Sequence, residues 1–331
     1  MSYWMISNRA ITGTGKNRAL GPDEGKLSYW GASGDVDLTK LDSWAQLTPK
    51  AFRENLITEA KEFPDIEDPA RHEEQKHVTL FIHGFNNSWQ DAARRYQQIA
   101  DDLYGGPKSL GVCVLFTWPS DGLGVAYYPD RLDARRTAND LAEVLTTLYD
   151  YMDIQQKETM RLGRATCKAK VSVIAHSMGN FVLQKGLQTV WTRRNQPLLV
   201  SMLNQVLMVA ADVDNDLFKG AENVDKSDGD AMANLSYRIT ALYSGLDAVL
   251  GVSAGLKHFG KRRLGRSGLD PSETTPDNVW DIDCSKYLTG LPKTMPKTHS
   301  AYFEVKKIQA LMRDLLRGVD RKVVLERNEL P

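Results

Sequence analysis

The sequence has few cysteines, no excess of either charge and no long apolar run. Its three cysteines, Cys113, Cys167 and Cys284, lie far apart, which offers neither a disulfide framework nor the spacing of a zinc site. Basic and acidic residues both number 42, so composition argues against a nucleic-acid or anionic-membrane partner. No run reaches the ~20 apolar residues of a transmembrane helix. The first residues lack the pattern of a signal peptide, and we expect a cytoplasmic protein.

A chain of 331 residues suits one large α/β domain with elaborations or two smaller domains. The first 76 residues are irregular: short strands are predicted at 3–7 and 26–30, separated by a Gly-rich turn region at 12–25. Pro49 is placed to open a helix. Residues 62–76 read as a charged surface linker.

From His77 onward, short apolar runs alternate with segments of helical spacing. The predicted strands are 78–82, 111–116, 171–175, 205–210, 238–243 and 279–282. A helix capped by Ser88 is predicted at 89–103. A closing helix is predicted at about 300–317, with one face formed by Tyr302, Val305, Ile308, Leu311, Met312 and Leu315. Nearly all-apolar strands that alternate with amphipathic helices indicate a parallel sheet covered on both faces. Active groups in such sheets collect at the carboxyl ends of the strands.

The stretch from Lys170 to Leu187 has the pattern of a strand, a sharp turn and a helix. Ser177 lies at the apex of the turn, where its hydroxyl is lifted out of the sheet edge towards the positive end of the next helix. Ala175 occupies the position where this pattern usually has its first glycine, and a small residue still fits there. Ser177 is therefore a candidate nucleophile.

A serine nucleophile needs a base, normally histidine, and the chain has six histidines. His176 adjoins the serine and cannot readily turn back to reach its Oγ, whereas His83 more plausibly supports its own loop. Two candidates follow the serine: His258 in a basic loop at 257–263 that is predicted to be solvated, and His299 after the last predicted strand. We favour His299, because it lies at the catalytic edge of the predicted sheet.

The imidazole needs a carboxylate that fixes its tautomer. Asp247 lies four residues beyond the strand that ends at Tyr243 and is our choice. Asp212 and Asp214 follow the neighbouring strand and are the rivals, with Asp212 second. Any of the three could instead cap a helix, and Asp214 has the position that most resembles a cap.

The transition state of acyl transfer also needs two N–H donors for the oxyanion. One is predicted to be the backbone N–H of Met178, at the start of the helix after the nucleophile. The other is predicted to come from the turn at 83–85, from the N–H of Phe85, because Gly84 permits tight backbone there.

These motifs resemble those of the α/β-hydrolase superfamily, and more narrowly of an uncharacterised bacterial esterase/lipase-like branch. The matching segments are Phe-Ile-His-Gly-Phe-Asn-Asn at 81–87, Phe-Thr-Trp-Pro-Ser at 116–120 and Ala-His-Ser-Met-Gly-Asn at 175–180. The resemblance implies an α/β-hydrolase fold with a mostly parallel sheet, helices on both faces and cap or lid loops. It also implies a triad in the order serine, acid, histidine, which is Ser177, Asp247 and His299 here.

By the same resemblance, residues 77–331 form the catalytic core, and residues 1–76 form an N-terminal extension of edge strands and a helix packed on that core. Around the predicted site, His83, Trp118, Tyr127 and Tyr128 could line a pocket, although Trp118 fits a core position equally well.

The leading hypothesis is a serine esterase, lipase-like, that acts on a small-molecule or lipid-like ester without a metal or organic cofactor. The same triad would serve an acyltransferase, thioesterase or amidase. A third hypothesis is a catalytically inactive α/β-hydrolase scaffold that serves as a binding module, but such a scaffold needs none of the three residues. The sequence carries no signal for an oligomeric state.

Overall fold

The computed structural model describes residues 2–64, 66, 69–120, 127–162, 169–194, 201–219, 229–258, 260–291 and 295–330. The chain divides into two compact units, residues 1–171 and residues 172–331.

The first unit contains a mixed sheet with helices between its strands. Its elements are β1 (Ser2–Thr12), β2 (Ala19–Ser33), β3 (Ala45–Leu47), α1 (Pro49–Lys61), β4 (His77–Ile82), α2 (Trp89–Ile99), β5 (Gly111–Thr117) and α3 (Tyr127–Leu162). The strand order is β3-β2-β1-β5-β4. The pairs β1–β2 and β2–β3 are antiparallel, whereas β1–β5 and β4–β5 are parallel.

Strand β4 and nearly all of β5 are buried along their whole length, as apolar runs in a parallel sheet require. The side chain of Ser88 accepts a hydrogen bond from the N–H of Asp91, and the Asp91 carboxylate accepts one from the Ser88 N–H, so that this capping box starts α2. The predicted helix 89–103 ends as α2 at Ile99, and a π-helical turn, Ala100–Tyr104, continues it.

The N-terminal strands are longer than the sequence predicts. Strand β2 begins at Ala19, so the prediction of a turn region up to residue 25 is wrong for residues 19–25. The physical reason is close approach: a Cβ on Gly25 would lie 2.7 Å from Ala10 Cα, so glycine serves the strand pairing here. Pro49 opens α1 as predicted, and the division at residue 76 stays a prediction.

The second unit contains a parallel sheet in the order β6-β7-β8-β9. Its elements are β6 (Lys170–His176), α4 (Gly179–Arg194), β7 (Leu203–Val209), α5 (Asp230–Leu235), β8 (Ser236–Tyr243), α6 (Ala248–Val252), α7 (Leu264–Ser267), β9 (Val279–Asp283), α8 (Ser285–Leu288), α9 (Met295–Ser300), α10 (Lys306–Leu316) and α11 (Arg321–Arg327). Because the strands are parallel, their carboxyl ends meet at one edge. Ser177, Asp212 and Asp247 follow three of these ends in turn.

The predicted closing helix is interrupted. Residues 301–303 form a 3-10 turn between α9 and α10, and Val305 is extended at the start of α10. The predicted inward face is confirmed except at Val305, which is half-buried. Its other members are buried: Tyr302, Ile308, Leu311, Met312 and Leu315. Within the described ranges, no helix has the length and apolar character needed to cross a membrane. The cytoplasmic location stays a prediction.

Candidate active site

Ser177 lies in the left-handed region, with φ of 53°, directly after β6. That backbone conformation costs a non-glycine residue ~1–2 kcal/mol, so the surroundings must hold it. The Ser177 N–H donates to the Val209 carbonyl at 3.0 Å, and the Ser177 carbonyl accepts from the N–H groups of Asp212 and Asn180, both at 3.1 Å. The serine is thus fixed between the ends of β6 and β7.

Asn180 binds the same turn through its side chain. Its Nδ2 donates to the carbonyl oxygens of Ala175 at 2.9 Å and Ser177 at 3.1 Å. In the sequence, Asn180 stands out only as the last residue of the motif at 175–180. Its position three residues after the serine, in the first turn of a helix, is the signal that could have suggested a return contact to the elbow.

Met178 lies between the serine and α4. The N–H groups at a helix N-terminus have no acceptor within the helix and point towards the space beyond it. This position suits the predicted oxyanion donor, and the role itself stays a prediction.

His299 and Asp247 are in direct contact. His299 Nδ1 lies 2.7 Å from Asp247 Oδ2, and the Asp247 side chain is fully buried. The other carboxylate oxygen, Oδ1, accepts from the N–H of Leu250 at 3.0 Å and caps α6. Asp247 therefore does both things that the sequence left open: Oδ2 is the partner of the histidine, and Oδ1 caps a helix.

The Asp247 carboxylate determines the protonation of His299. Burial by itself lowers the pKa of His299, but the charge and hydrogen bond of Asp247, with the more distant charge of Asp212, outweigh it and raise this pKa above its ordinary value. A carboxylate oxygen can only accept, so the neutral ring carries its proton on Nδ1. His299 Nε2 is then left with a lone pair, which is the form that a general base requires.

His176 holds the segment that carries His299. Its Nε2 lies 3.1 Å from the His299 carbonyl oxygen, and the two rings are 4.9 Å apart between centroids. The same ring meets Phe303 edge-on at 5.4 Å. No sequence pattern indicates this contact of His176, because it joins residues 123 positions apart.

Asp212, the alternative acid, has a different partner. Its Oδ1 accepts from Arg263 Nε at 2.8 Å and from Ser253 Oγ at 3.0 Å. Arg263 also donates to the Asp212 carbonyl and to the Asp214 carboxylate. The prediction of a solvated loop is wrong at Arg263, which is fully buried, because these acceptors draw it inward.

The capping position expected for Asp214 is also wrong. Residues 215–218 form a turn rather than a helix, and the Asp214 carboxylate pairs with Arg263 and with Lys261. His258, the rejected base, lies at the end of a π-helical turn, Ser253–Lys257.

The remaining predicted site residues belong to the first unit. The Trp118 N–H donates to His83 Nε2 at 3.2 Å, and His83 Nδ1 lies 2.8 Å from the Gly84 carbonyl. Burial, helped by the charge of Arg9, lowers the pKa of His83 to about 3, so the ring is neutral. His83 and Trp118 are stacked at 5.3 Å and buried.

Phe85 packs edge-on against Tyr127 at 5.5 Å, and Tyr127 is buried. The side chain of Tyr128 lies outside the described residues. The oxyanion role of Phe85 and the pocket formed by His83, Trp118, Tyr127 and Tyr128 stay predictions.

Arg9 is a buried residue of β1 that the sequence analysis does not single out. Its guanidinium donates to Asn87 O at 2.9 Å, to Thr117 Oγ1 at 3.0 Å and to Ser120 O at 3.2 Å. It thereby joins the segment after β4 to the segment after β5. A lone arginine in a strand of the irregular N-terminal region offers no sequence signal for this role.

In the part of the chain that the structure describes, no group of three or more His, Cys, Asp or Glu side chains is arranged to hold a metal ion.

Comparison with known proteins gives one relative, an uncharacterized protein of Nostoc sp., at 24% identity over 174 residues. The match covers 46% of this chain and 42% of the Nostoc protein, so it spans less than half of that relative. Among solved structures, a Pyrobaculum calidifontis esterase aligns at 12% identity and a TM-score of 0.33, over 72% of this chain and 76% of its own.

Aspergillus fumigatus lipase B aligns at 13% identity and a TM-score of 0.40, over 98% of this chain and 68% of its own. The family described as "Alpha/beta hydrolase of unknown function (DUF900)" matches residues 58–279, which is more than half of the chain. The match includes Ser177, Asp212 and Asp247 and ends before His299. The predicted α/β-hydrolase fold is confirmed, and the chain belongs to this DUF900 family of alpha/beta hydrolases.

Proposed function

We propose that the protein is a serine hydrolase that cleaves carboxylic esters through an acyl-enzyme on Ser177. The observation that carries the proposal is the buried contact between His299 Nδ1 and Asp247 Oδ2 at 2.7 Å. It fixes the tautomer of a histidine in the same unit as a serine held in a left-handed turn. A structural ion pair would not require the strained serine as well.

In the first step, Ser177 Oγ attacks the carbonyl carbon of the ester while His299 Nε2 takes the hydroxyl proton. The Asp247 carboxylate stabilises the imidazolium that forms. The negative charge passes to the carbonyl oxygen, for which the Met178 and Phe85 N–H groups are the proposed donors. Collapse of this intermediate breaks the bond to the alcohol, which leaves with the proton from His299.

In the second step, His299 Nε2 takes a proton from water, and the hydroxide attacks the acyl carbon on Ser177. Collapse returns the proton to Ser177 Oγ and releases the carboxylic acid. The chemistry needs no metal or organic cofactor. The proposed substrate class is a small-molecule or lipid-like ester.

The test is hydrolysis of p-nitrophenyl esters of increasing acyl chain length by the wild type, Ser177→Ala and Ser236→Ala. Ser236 is a matched control, since its buried hydroxyl lacks a hydrogen-bond partner among the described residues and it begins β8, at the opposite end from Asp247. We expect turnover by the wild type and the control and none above background by Ser177→Ala. Equal turnover by Ser177→Ala would refute the proposal.

The acyl acceptor and the type of bond cleaved are decided by repeating the experiment with added acceptors and with amide and thioester substrates. A wild type that forms an acyl-enzyme but turns over only when an alcohol, amine or thiol is added, with the acyl group appearing on that acceptor, would be an acyltransferase. Cleavage of amides or thioesters in place of esters would identify an amidase or thioesterase with the same triad. Neither acylation nor turnover with any substrate would favour an inactive binding module.

A further inference from the structure

Arg263 is fully buried, and its side chain binds the loop that follows β7. It precedes α7 and donates from Nε to Asp212 Oδ1 at 2.8 Å, from Nη2 to the Asp212 carbonyl and from Nη1 to the Asp214 carboxylate. A buried guanidinium is tolerated only where such acceptors satisfy it. Three of its donor groups therefore hold the two aspartates that follow β7.

The residue that Arg263 holds is also the one that holds the nucleophile. The backbone N–H of Asp212 donates to the Ser177 carbonyl at 3.1 Å. Arg263 binds Asp212 by its carboxylate and by its carbonyl oxygen, so it fixes both the side chain and the following peptide group. A displacement of Asp212 would be passed directly to the left-handed turn at Ser177.

The backbone next to Arg263 also binds the loop that follows β7. The N–H of Leu264 donates to the Val213 carbonyl and the N–H of Gly265 donates to the Ala211 carbonyl, both at 2.9 Å. A Cβ on Gly265 would lie 2.1 Å from the carbonyl carbon of Ala210, so the contact excludes any side chain there. The backbone of residues 263–265 thus packs directly against the backbone of the loop that follows β7.

The same cluster reaches the segment that carries the acid. Ser253 Oγ donates to Asp212 Oδ1 at 3.0 Å, and Ser253 directly follows α6, which Asp247 caps. Arg266 Nη1 donates to the carbonyl of Asp247. Residues 263–266 therefore bind both the loop behind the serine and the loop that orients the histidine.

We propose that Arg263 is a positioning residue for the nucleophile, acting through Asp212 to hold the Ser177 turn in its reactive conformation. This inference rests on the proposed function of Ser177. It assigns Asp212 a role other than that of the triad acid. Lysine could not replace the arginine, because a single ammonium cannot present three donors in the planar fork that meets these acceptors.

The experiment compares Arg263→Lys with Arg238→Lys in the full-length protein. Arg238 is a matched control, because it also donates to backbone carbonyls, those of Gly318 and Val319, but from the first half of β8. The measurements are kcat and KM for a p-nitrophenyl ester, the rate constant and final stoichiometry of labelling by a fluorophosphonate, and the Tm.

For Arg263→Lys we expect kcat and the labelling rate to fall together by ~10–100-fold, since a small displacement of a reacting group has an effect of this size. KM should stay within about twofold and labelling should still reach one equivalent, because the folded fraction is unchanged. Arg238→Lys should keep both rates within about twofold.

A lower Tm with wild-type kcat and labelling rate in Arg263→Lys would overturn the proposal, because Arg263 would then only stabilise the fold. If this variant does not fold, Asp212→Asn carries the test, since it keeps an acceptor for Arg263 and Ser253. We expect a ~3–10-fold loss in both rates, because the hydrogen bond from Arg263 to an uncharged amide oxygen is weaker than that to a carboxylate. No loss would overturn the proposal. Failure of the proposed function is distinguished by a separate result, equal labelling of wild type and Ser177→Ala.

Discussion

Replacement of Asp247 by asparagine separates its two tasks. The asparagine Oδ1 can still accept from the Leu250 N–H, and asparagine is as good a helix N-cap as aspartate, so the fold should be retained. The Nδ2 group would face His299 Nδ1, where the carboxylate now accepts at 2.7 Å. Since an amide nitrogen only donates, the ring proton of His299 would move to Nε2, and His299 could no longer take the proton of Ser177.

The expected magnitude follows from the distance between the two groups. At 2.7 Å and an effective dielectric constant of ~20, a carboxylate and an imidazolium attract each other by about 6 kcal/mol. At ~1.4 kcal/mol for each factor of ten, this attraction corresponds to about four decades in rate. The loss of kcat known for the equivalent change in a serine-histidine-aspartate triad, ~10⁴-fold, is of the same size.

The assay is ester turnover by Asp247→Asn and, as the comparator, Asp212→Asn, with Tm measured for both. We expect ~10⁴-fold loss of kcat in the first variant and less than ~10-fold in the second, because Asp212 contacts Arg263 and Ser253. The reverse order of the two losses would refute the assignment of Asp247 as the acid. Loss of the thermal transition in Asp247→Asn would instead refute the reasoning on the helix cap.

Three further predictions concern the base and the packing behind the site. His299→Ala should lower ester turnover by several orders of magnitude and His258→Ala should have little effect; the opposite ranking, in initial-rate measurements, would mean that the base is wrongly assigned. Nearby carboxylates raise the pKa of His299, and the base must be neutral, so as the pH is lowered kcat/KM should begin to fall while the pH is still above ~6.5. Asp212→Asn should move that fall to lower pH, and an unmoved pH profile would contradict the electrostatic argument. Gly265→Ala should lower the free energy of unfolding by ~3 kcal/mol or more because its Cβ would overlap backbone, whereas Gly255→Ala, which has nothing within 4 Å, should leave the denaturation midpoint unchanged or slightly raised.

The parts of the fold that the sequence predicts are those with a strong local pattern. Strands such as β4 and β5 are almost entirely apolar runs. Helix starts are marked locally, by Ser88 as the cap of α2 and by Pro49 in the first turn of α1. The sequence does not predict the full hairpin of β1 and β2, because its glycines are typical of a turn region. Only the pairing shows that Gly25 is needed where the two backbones approach closely.

The candidate site divides in the same way. Ser177, Asp247 and His299 can be chosen from the sequence, because each follows a recognisable strand end and the chemistry demands these residue types. Two of the residues that hold them, His176 and Arg263, contact backbone carbonyls and buried carboxylates distant in sequence. Asn180 contacts the nearby carbonyl oxygens of Ala175 and Ser177, but its residue type alone does not predict these contacts. No local pattern distinguishes a buried arginine from a solvated one, so Arg263 reads as part of a basic surface loop.

Covalent labelling shows whether Ser177 is an activated nucleophile. The protein is treated with a fluorophosphonate, its mass is measured intact, and the modified residue is identified in the digested chain. We predict one equivalent of label on Ser177 in the wild type and none in Ser177→Ala. Labelling of another residue, or equal labelling of the two proteins, would contradict the account.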